Sequence, residues 1–211
     1  MNLMFMMLII MLINLGISFY NARSAGQVWA ESKAIGGWLR LLVWCGAIQA
    51  AIGFTMVYLI IVSYIAVSVG YISPQLMGVL FNLVYLMIIV PAIGTGIIIT
   101  IQSWIAVARE RSLMNIGTAG WNTFATAYNT YNAIQSFGPA LSSVQEGLSG
   151  LFDEDSDSDN STYRVILLAA IVLLAGVVTT SVIIRRYAAS LPGGSAKCWA
   201  ARPFDALMFA F

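Results

Sequence analysis

Long apolar stretches divide this chain, and short polar or charged segments separate them. Residues 3–20 (LMFMMLIIMLINLGISFY) carry no charge, and residues 165–184 (VILLAAIVLLAGVVTTSVII) form a second uncharged run dominated by Val, Ile, Leu and Ala. Between Arg40 and Arg109 lies a gap of 68 residues without Asp, Glu, Lys or Arg. A membrane-spanning helix needs about 20 apolar residues, so this gap holds two spans and a turn. The turn is legible at Gly70-Tyr71-Ile72-Ser73-Pro74-Gln75, where a glycine stop meets a proline that restricts the residue before it. The pattern predicts one helix at 41–69 and an antiparallel partner at 77–107. At 1.5 Å per residue the first reaches about 44 Å, beyond the ~30 Å hydrocarbon slab, so these helices tilt or project beyond it. Pro91, with Gly94 and Gly96, predicts a kink in the second.

The expected class is therefore all-α: a multi-pass transmembrane helical protein with four strong spans (3–20, 41–69, 77–107 and 165–184). These lie in a helical region over residues 1–190, followed by a short aromatic tail at 191–211. Composition agrees. Hydrophobic residues make up 60% of the chain and charged residues 9%, whereas a soluble surface needs roughly a quarter to a third of its residues charged. A net charge of +1, with no basic stripe, excludes a nucleic-acid-binding domain. Two cysteines, Cys45 and Cys198, exclude a disulfide scaffold. The first apolar run reads as a retained anchor rather than a secretory signal, because its first charge, Arg23, follows the run instead of preceding it.

Basic residues set the expected orientation. Arg23, Lys33 and Arg40 place the 21–40 loop in the cytoplasm, and Arg109 and Arg111 place the end of the third span there. Arg185, Arg186, Lys197 and Arg202 do the same for the C-terminus. The N-terminus is then outside, in the bacterial inner membrane or, alternatively, a virion membrane. One more crossing is needed to reconcile these ends, and the uncharged stretch from Ser112 to Gln145 is long enough to supply it. Residues 112–137 are rich in Asn, Thr, Ser and Tyr, so the fifth helix is either a polar-faced crossing or an interfacial helix lying flat. Interfacial helices usually carry Lys or Arg on the polar face. This one carries none, which favours the crossing.

Within that segment, Trp121-Asn122-Thr123-Phe124 recurs as Tyr128-Asn129-Thr130-Tyr131, an offset of seven that puts both copies on one helical face. Leu113, Ile116, Gly120, Phe124, Tyr128, Tyr131 and Ile134 form an apolar stripe. Thr118, Asn122, Thr126, Asn129, Asn132 and Ser136 fall opposite. Uncharged amides and hydroxyls in a bilayer must find partners in neighbouring helices or in water. This row is thus a helix–helix seam or a pore lining. Gly138-Pro139 is expected to break the helix. Gly46, Ala50 and Gly53 fall near one face of the second span, where small residues let another backbone approach.

Catalytic chemistry finds little foothold. There is no histidine, and GxSxG, HExxH, Walker and CxxC patterns are absent. No carboxylate or lysine lies inside a strong span, so no intramembrane relay is visible. The acidic run Asp153, Glu154, Asp155, Asp157, Asp159 fails as an EF-hand. Counted from Asp155, position 12 is Ile166; counted from Asp153, it is Arg164. No cofactor, metal or small-molecule substrate is expected. The tail, with Trp199, Phe204, Phe209 and Phe211, is too short to form its own core and is expected to dock on a subunit or on lipid. The expected function is a non-enzymatic subunit of a larger membrane assembly. Its expected partners are the lipid bilayer and other membrane subunits or copies of itself. The alternative is an oligomeric channel or holin-like pore lined by the Asn/Thr face.

Overall fold

The computed structural model describes residues 3–35, 37–149 and 158–189. Among these the chain is entirely helical, in five α-helices: α1 (Leu3–Ile35), α2 (Gly37–Ser68), α3 (Pro74–Arg109), α4 (Leu113–Ser149) and α5 (Ser158–Ala189). The acidic run up to Asp157 and the tail residues Trp199, Phe204, Phe209 and Phe211 lie outside the described residues.

The turn read at 70–75 connects α2 to α3. Gly70 has φ +70°, the left-handed conformation that closes a helix at low cost only for glycine. Tyr71 N–H then donates to the Ala66 carbonyl at 2.8 Å. Ser73 caps α3 by accepting from Leu76 N–H at 3.2 Å, and Pro74 follows where no backbone donor is needed. The α3–α4 link is only Glu110, Arg111 and Ser112. It is held by Asn115, whose Nδ2 donates to the Glu110 carbonyl at 2.8 Å and whose backbone N–H donates to Ser112 Oγ at 3.1 Å. A link this short forces the two helices to lie antiparallel.

The central core joins α2, α3 and α5 through Ile52, Leu59, Leu80, Val84, Val165 and Val172, among others. α1 packs on α2 and α5, with Ala22 against Ala50 and Phe54, and with Ala25 and Val28 in a cluster with Leu42, Val43 and Cys45. α4 lies mainly on α3, outside this core. The exterior is apolar: Tyr64, Val90, Ile134 and Leu174 all stand exposed. Exposed apolar surface on this scale is unusual for a protein solvated by water and ordinary for one solvated by lipid.

Three helices are long and apolar enough to cross a membrane among the described residues: Gly37–Ser68, Pro74–Arg109 and Tyr163–Ala189. That is one fewer than the four strong spans expected. The run 3–20 does lie in a helix, but α1 continues through Asn21, Arg23 and Ser24 to Ile35, so the expected 21–40 loop is helical on both sides of Gly36. Polarity ends an apolar run without ending a helix. Ala22, Ala25 and Val28 keep α1 wound by burying against α2. α4 likewise runs through Gly138-Pro139, where a break was expected. Ala140 and Val144 beyond the proline are buried, and Ala140 packs against Tyr85 and Ile89 of α3. Tertiary contact there outweighs the lost backbone hydrogen bond. α3 is likewise continuous through Pro91.

The antiparallel arrangement gathers charge at the ends. Arg40 opens α2, Arg109 and Arg111 close and follow α3, and Arg185 and Arg186 stand near the end of α5. These helix ends meet, since Trp38 Nε1 donates to Gln102 Oε1 at 3.0 Å and Val43 shares a groove with Ala188. Arg164 sits at the opposite end, where its Nη1 donates to the Tyr71 carbonyl at 2.9 Å and its guanidinium lies 4.9 Å from the Tyr71 ring centre.

Candidate functional site: the polar seam between α3 and α4

The stripe-and-seam pattern of α4 is realised as two faces. Leu113, Ile116, Phe124, Tyr131 and Ile134 are exposed. Asn115, Ala119, Asn122, Thr126 and Asn129 are buried, at steps of three and four that keep them against one neighbour. That neighbour is α3. Thr100 Oγ1 donates to the Asn122 carbonyl at 3.1 Å and lies 3.1 Å from Thr126 Oγ1. Asn122 Nδ2 donates to Ser103 Oγ at 3.3 Å, and Trp104 Nε1 donates to Thr123 Oγ1 at 2.9 Å. Nearer the other end, Asn82 Nδ2 donates to Ser143 Oγ at 2.9 Å. Gly147 lies so close to Val79 that an added Cβ would meet its side chain at 2.6 Å. Pairs running from 104 with 123 to 79 with 147 trace one antiparallel register along most of both helices. That arrangement excludes α4 lying across the end of α3.

Gly96 allows this closeness, since a Cβ there would stand 2.9 Å from Thr126 Oγ1. Of the six seam candidates, Asn122 is fully buried and Thr126 and Asn129 nearly so. Thr118 and Asn132 are half-buried, and Ser136 is exposed. Asn129, Asn132 and Ser136 line a cavity of about 160 Å³ with Asn82, Tyr85 and Phe81. At ~30 Å³ per molecule, that volume holds about five waters. Its lining mixes amides and hydroxyls, uncharged groups that give and take hydrogen bonds, with the apolar Phe81, Ile89 and Ala140.

A second polar node joins α2 to α3. Gln49, 1% exposed, donates through Nε2 to the Ala92 carbonyl at 2.8 Å and to Thr95 Oγ1 at 2.7 Å. Thr95 Oγ1 in turn donates to the Pro91 carbonyl at 2.6 Å. Gly46, Ala50 and Gly53 are all buried, and Ala50 packs against α1 as small-residue spacing suggests. Close backbone approaches also occur elsewhere. A Cβ on Gly26 would meet the Ile184 carbonyl at 2.6 Å, and one on Gly176 would meet the Ala51 carbonyl at 2.6 Å.

The α3 half of the seam went unread in the sequence, although a signal was present. Asn82, Tyr85, Ile89, Gly96, Thr100 and Ser103 recur at three-, four- and seven-residue intervals, matching the period of the α4 face. Among the described residues, no three His, Cys, Asp or Glu side chains come together. The chain matches no protein-family model, no curated protein and no solved structure.

Proposed function

We propose that this chain is a non-enzymatic, multi-pass membrane subunit that scaffolds a larger membrane assembly through helix–helix contacts. The assembly would be of the secretion, conjugation or virus-envelope type. One observation carries the reading: the buried part of the Asn/Thr face of α4, at Asn122 and Thr126, is bonded within the chain to Thr100 and Ser103 of α3. Much of what remains on the outside is apolar and aromatic, a surface suited to lipid and to the helices of other subunits. Placed in a bilayer, α3 spans it and α4 returns beside it. With α1 as a further span the chain crosses five times, leaving the N-terminus outside and the C-terminus with the arginine-rich end in the cytoplasm. The bacterial inner membrane is the proposed location. Affinity isolation of the full chain in mild detergent, after cross-linking in membranes, tests the role. Recovery of stoichiometric membrane partners supports it, and recovery of the chain alone counts against it.

A polar-lined channel is the second reading. The cavity beside Asn129, Asn132 and Ser136 favours it, being the polar space beside the seam that could be wetted. Conductance of the purified chain in planar bilayers, compared with Asn129→Leu, separates the two. A current that the substitution reduces belongs to a pore. An absent or unaltered current rejects it.

A further inference from the structure

A groove of about 800 Å³ runs between the second half of α5 and the first half of α2, with Trp29 of α1 at its rim. Its size falls in the range of small-molecule sites, roughly 300–1,000 Å³. Trp44, Ala47 and Ala51 form one wall, and Val177, Thr180 and Ser181 form the other. Two features make it more than a gap between helices. Arg185 lines it at the arginine-rich end, exposed and in no ion pair among the described residues. Thr180, 3% exposed, has a buried hydroxyl with no hydrogen-bond partner. It sits five residues before Arg185, about 7.5 Å along α5. Beyond Thr180 the walls turn apolar, reaching Val177 and Ala51.

From the mouth inward, the groove thus offers a cation and, past the buried Thr180 hydroxyl, an apolar slot. That order matches an anionic glycerophospholipid: phosphate, then acyl chain. Trp29 and Trp44, edge to face with ring centres 5.5 Å apart, stand where amphipathic indoles favour the headgroup boundary. The neighbouring Arg186 adds positive charge to the same helix end.

We infer that this groove is a binding site for one anionic phospholipid, its phosphate on Arg185 and an acyl chain between α2 and α5. The site rests on the chain's membrane placement and not on its scaffolding role, so loss of lipid and loss of partners are read separately. Native mass spectrometry of the full chain, from bilayers of equal phosphatidylglycerol and phosphatidylcholine, tests it.

The expected result is one retained phosphatidylglycerol per chain. Arg185→Ala lowers the preference for the anionic lipid about five-fold, the effect of one surface cation. Ser181→Trp fills the groove and removes the retained lipid. Val178→Trp, on the same helix but outside the groove, leaves the lipid in place and controls for folding. Equal retention of both lipids by the unaltered chain overturns the inference, as does retention that Ser181→Trp leaves unchanged. Two further results also overturn it: lipid that binds only after residues 190–211 are removed, which gives the groove to the tail, and a dimer that Ser181→Trp dissociates while the lipid stays.

Discussion

Gly176 is a tight joint between α2 and α5, and adding one carbon there should pry the two helices apart. The Cβ of an alanine would stand 2.6 Å from the Ala51 carbonyl and 2.9 Å from the Thr55 backbone nitrogen, where ordinary contact begins near 3.4 Å. The Thr55 hydroxyl also stands in the way, but a rotamer change there leaves the two backbone atoms in place, so α2 must withdraw by up to 0.8 Å. A gap of about 0.5–1 Å forfeits a quarter to a half of each dispersion contact it opens. Spread over roughly twenty atom pairs at ~0.15 kcal/mol each, that is about 1 kcal/mol. Residual strain at Thr55 brings the expected loss to about 1–3 kcal/mol, the usual range for overpacking. Gly120 on α4 is the control, since a Cβ there meets nothing within 4 Å. Alanine at that position should be neutral or stabilise by up to ~1 kcal/mol through helix propensity alone. Unfolding by titration of sodium dodecyl sulfate into dodecylmaltoside micelles, followed by far-ultraviolet circular dichroism, measures both. A Gly176→Ala chain as stable as its parent would refute the close α2–α5 approach.

Thr100→Val keeps the shape of the side chain and removes both of its bonds across the α3–α4 seam. It should cost about 0.6–2 kcal/mol in the same titration, and a double-mutant cycle with Thr126→Val should show coupling; independence of the two would dissolve the seam. Gln49→Leu should lose about 1–3 kcal/mol with its two hydrogen bonds to the Ala92 carbonyl and Thr95 Oγ1; equal stability of the Gln and Leu forms would contradict the amide's role as a donor to α3. Single cysteines in a chain lacking Cys45 and Cys198 test the crossings. Gln75→Cys and Asp155→Cys should label from one side of sealed vesicles, and Ser112→Cys and Ala200→Cys from the other. Labelling of positions 112 and 155 from one side would remove α4 from the bilayer.

Much of the fold was readable because lipid imposes simple rules. A charge-free interval with one glycine–proline turn can hold little else than a helical hairpin, and α2, Gly70, Ser73 and α3 are that hairpin. The two faces of α4 were likewise legible, because seven residues nearly complete two helical turns and the Asn-Thr repeat keeps that interval. Helix ends were harder. Arg23 and Asn21 look like the close of a span, yet their neighbours Ala22 and Ala25 are fully buried and carry α1 onward. Pro139 looks like a stop, yet Ala140 and Val144 bury on α3 just beyond it. In both places contacts between helices decide the outcome, and no local pattern encodes them. Gly26 and Gly176 stayed invisible for the same reason. A glycine in an apolar run reads alike whether it faces lipid or a backbone 3 Å away.

The three-residue link between α3 and α4 bears on how the chain is made. α4 emerges from the ribosome bearing amides that hydrocarbon would reject, but its complementary helix has just preceded it. Folded back at Glu110–Ser112, the pair can match Thr100 to Thr126 and Asn122 to Ser103 before either enters the membrane. On the proposed five-crossing topology the unit of insertion is thus the hairpin, with the greasier arm carrying the wetter one. On that topology, a nascent chain deprived of α3 would leave α4 stranded at the surface, and α5 would begin its own passage from the wrong side.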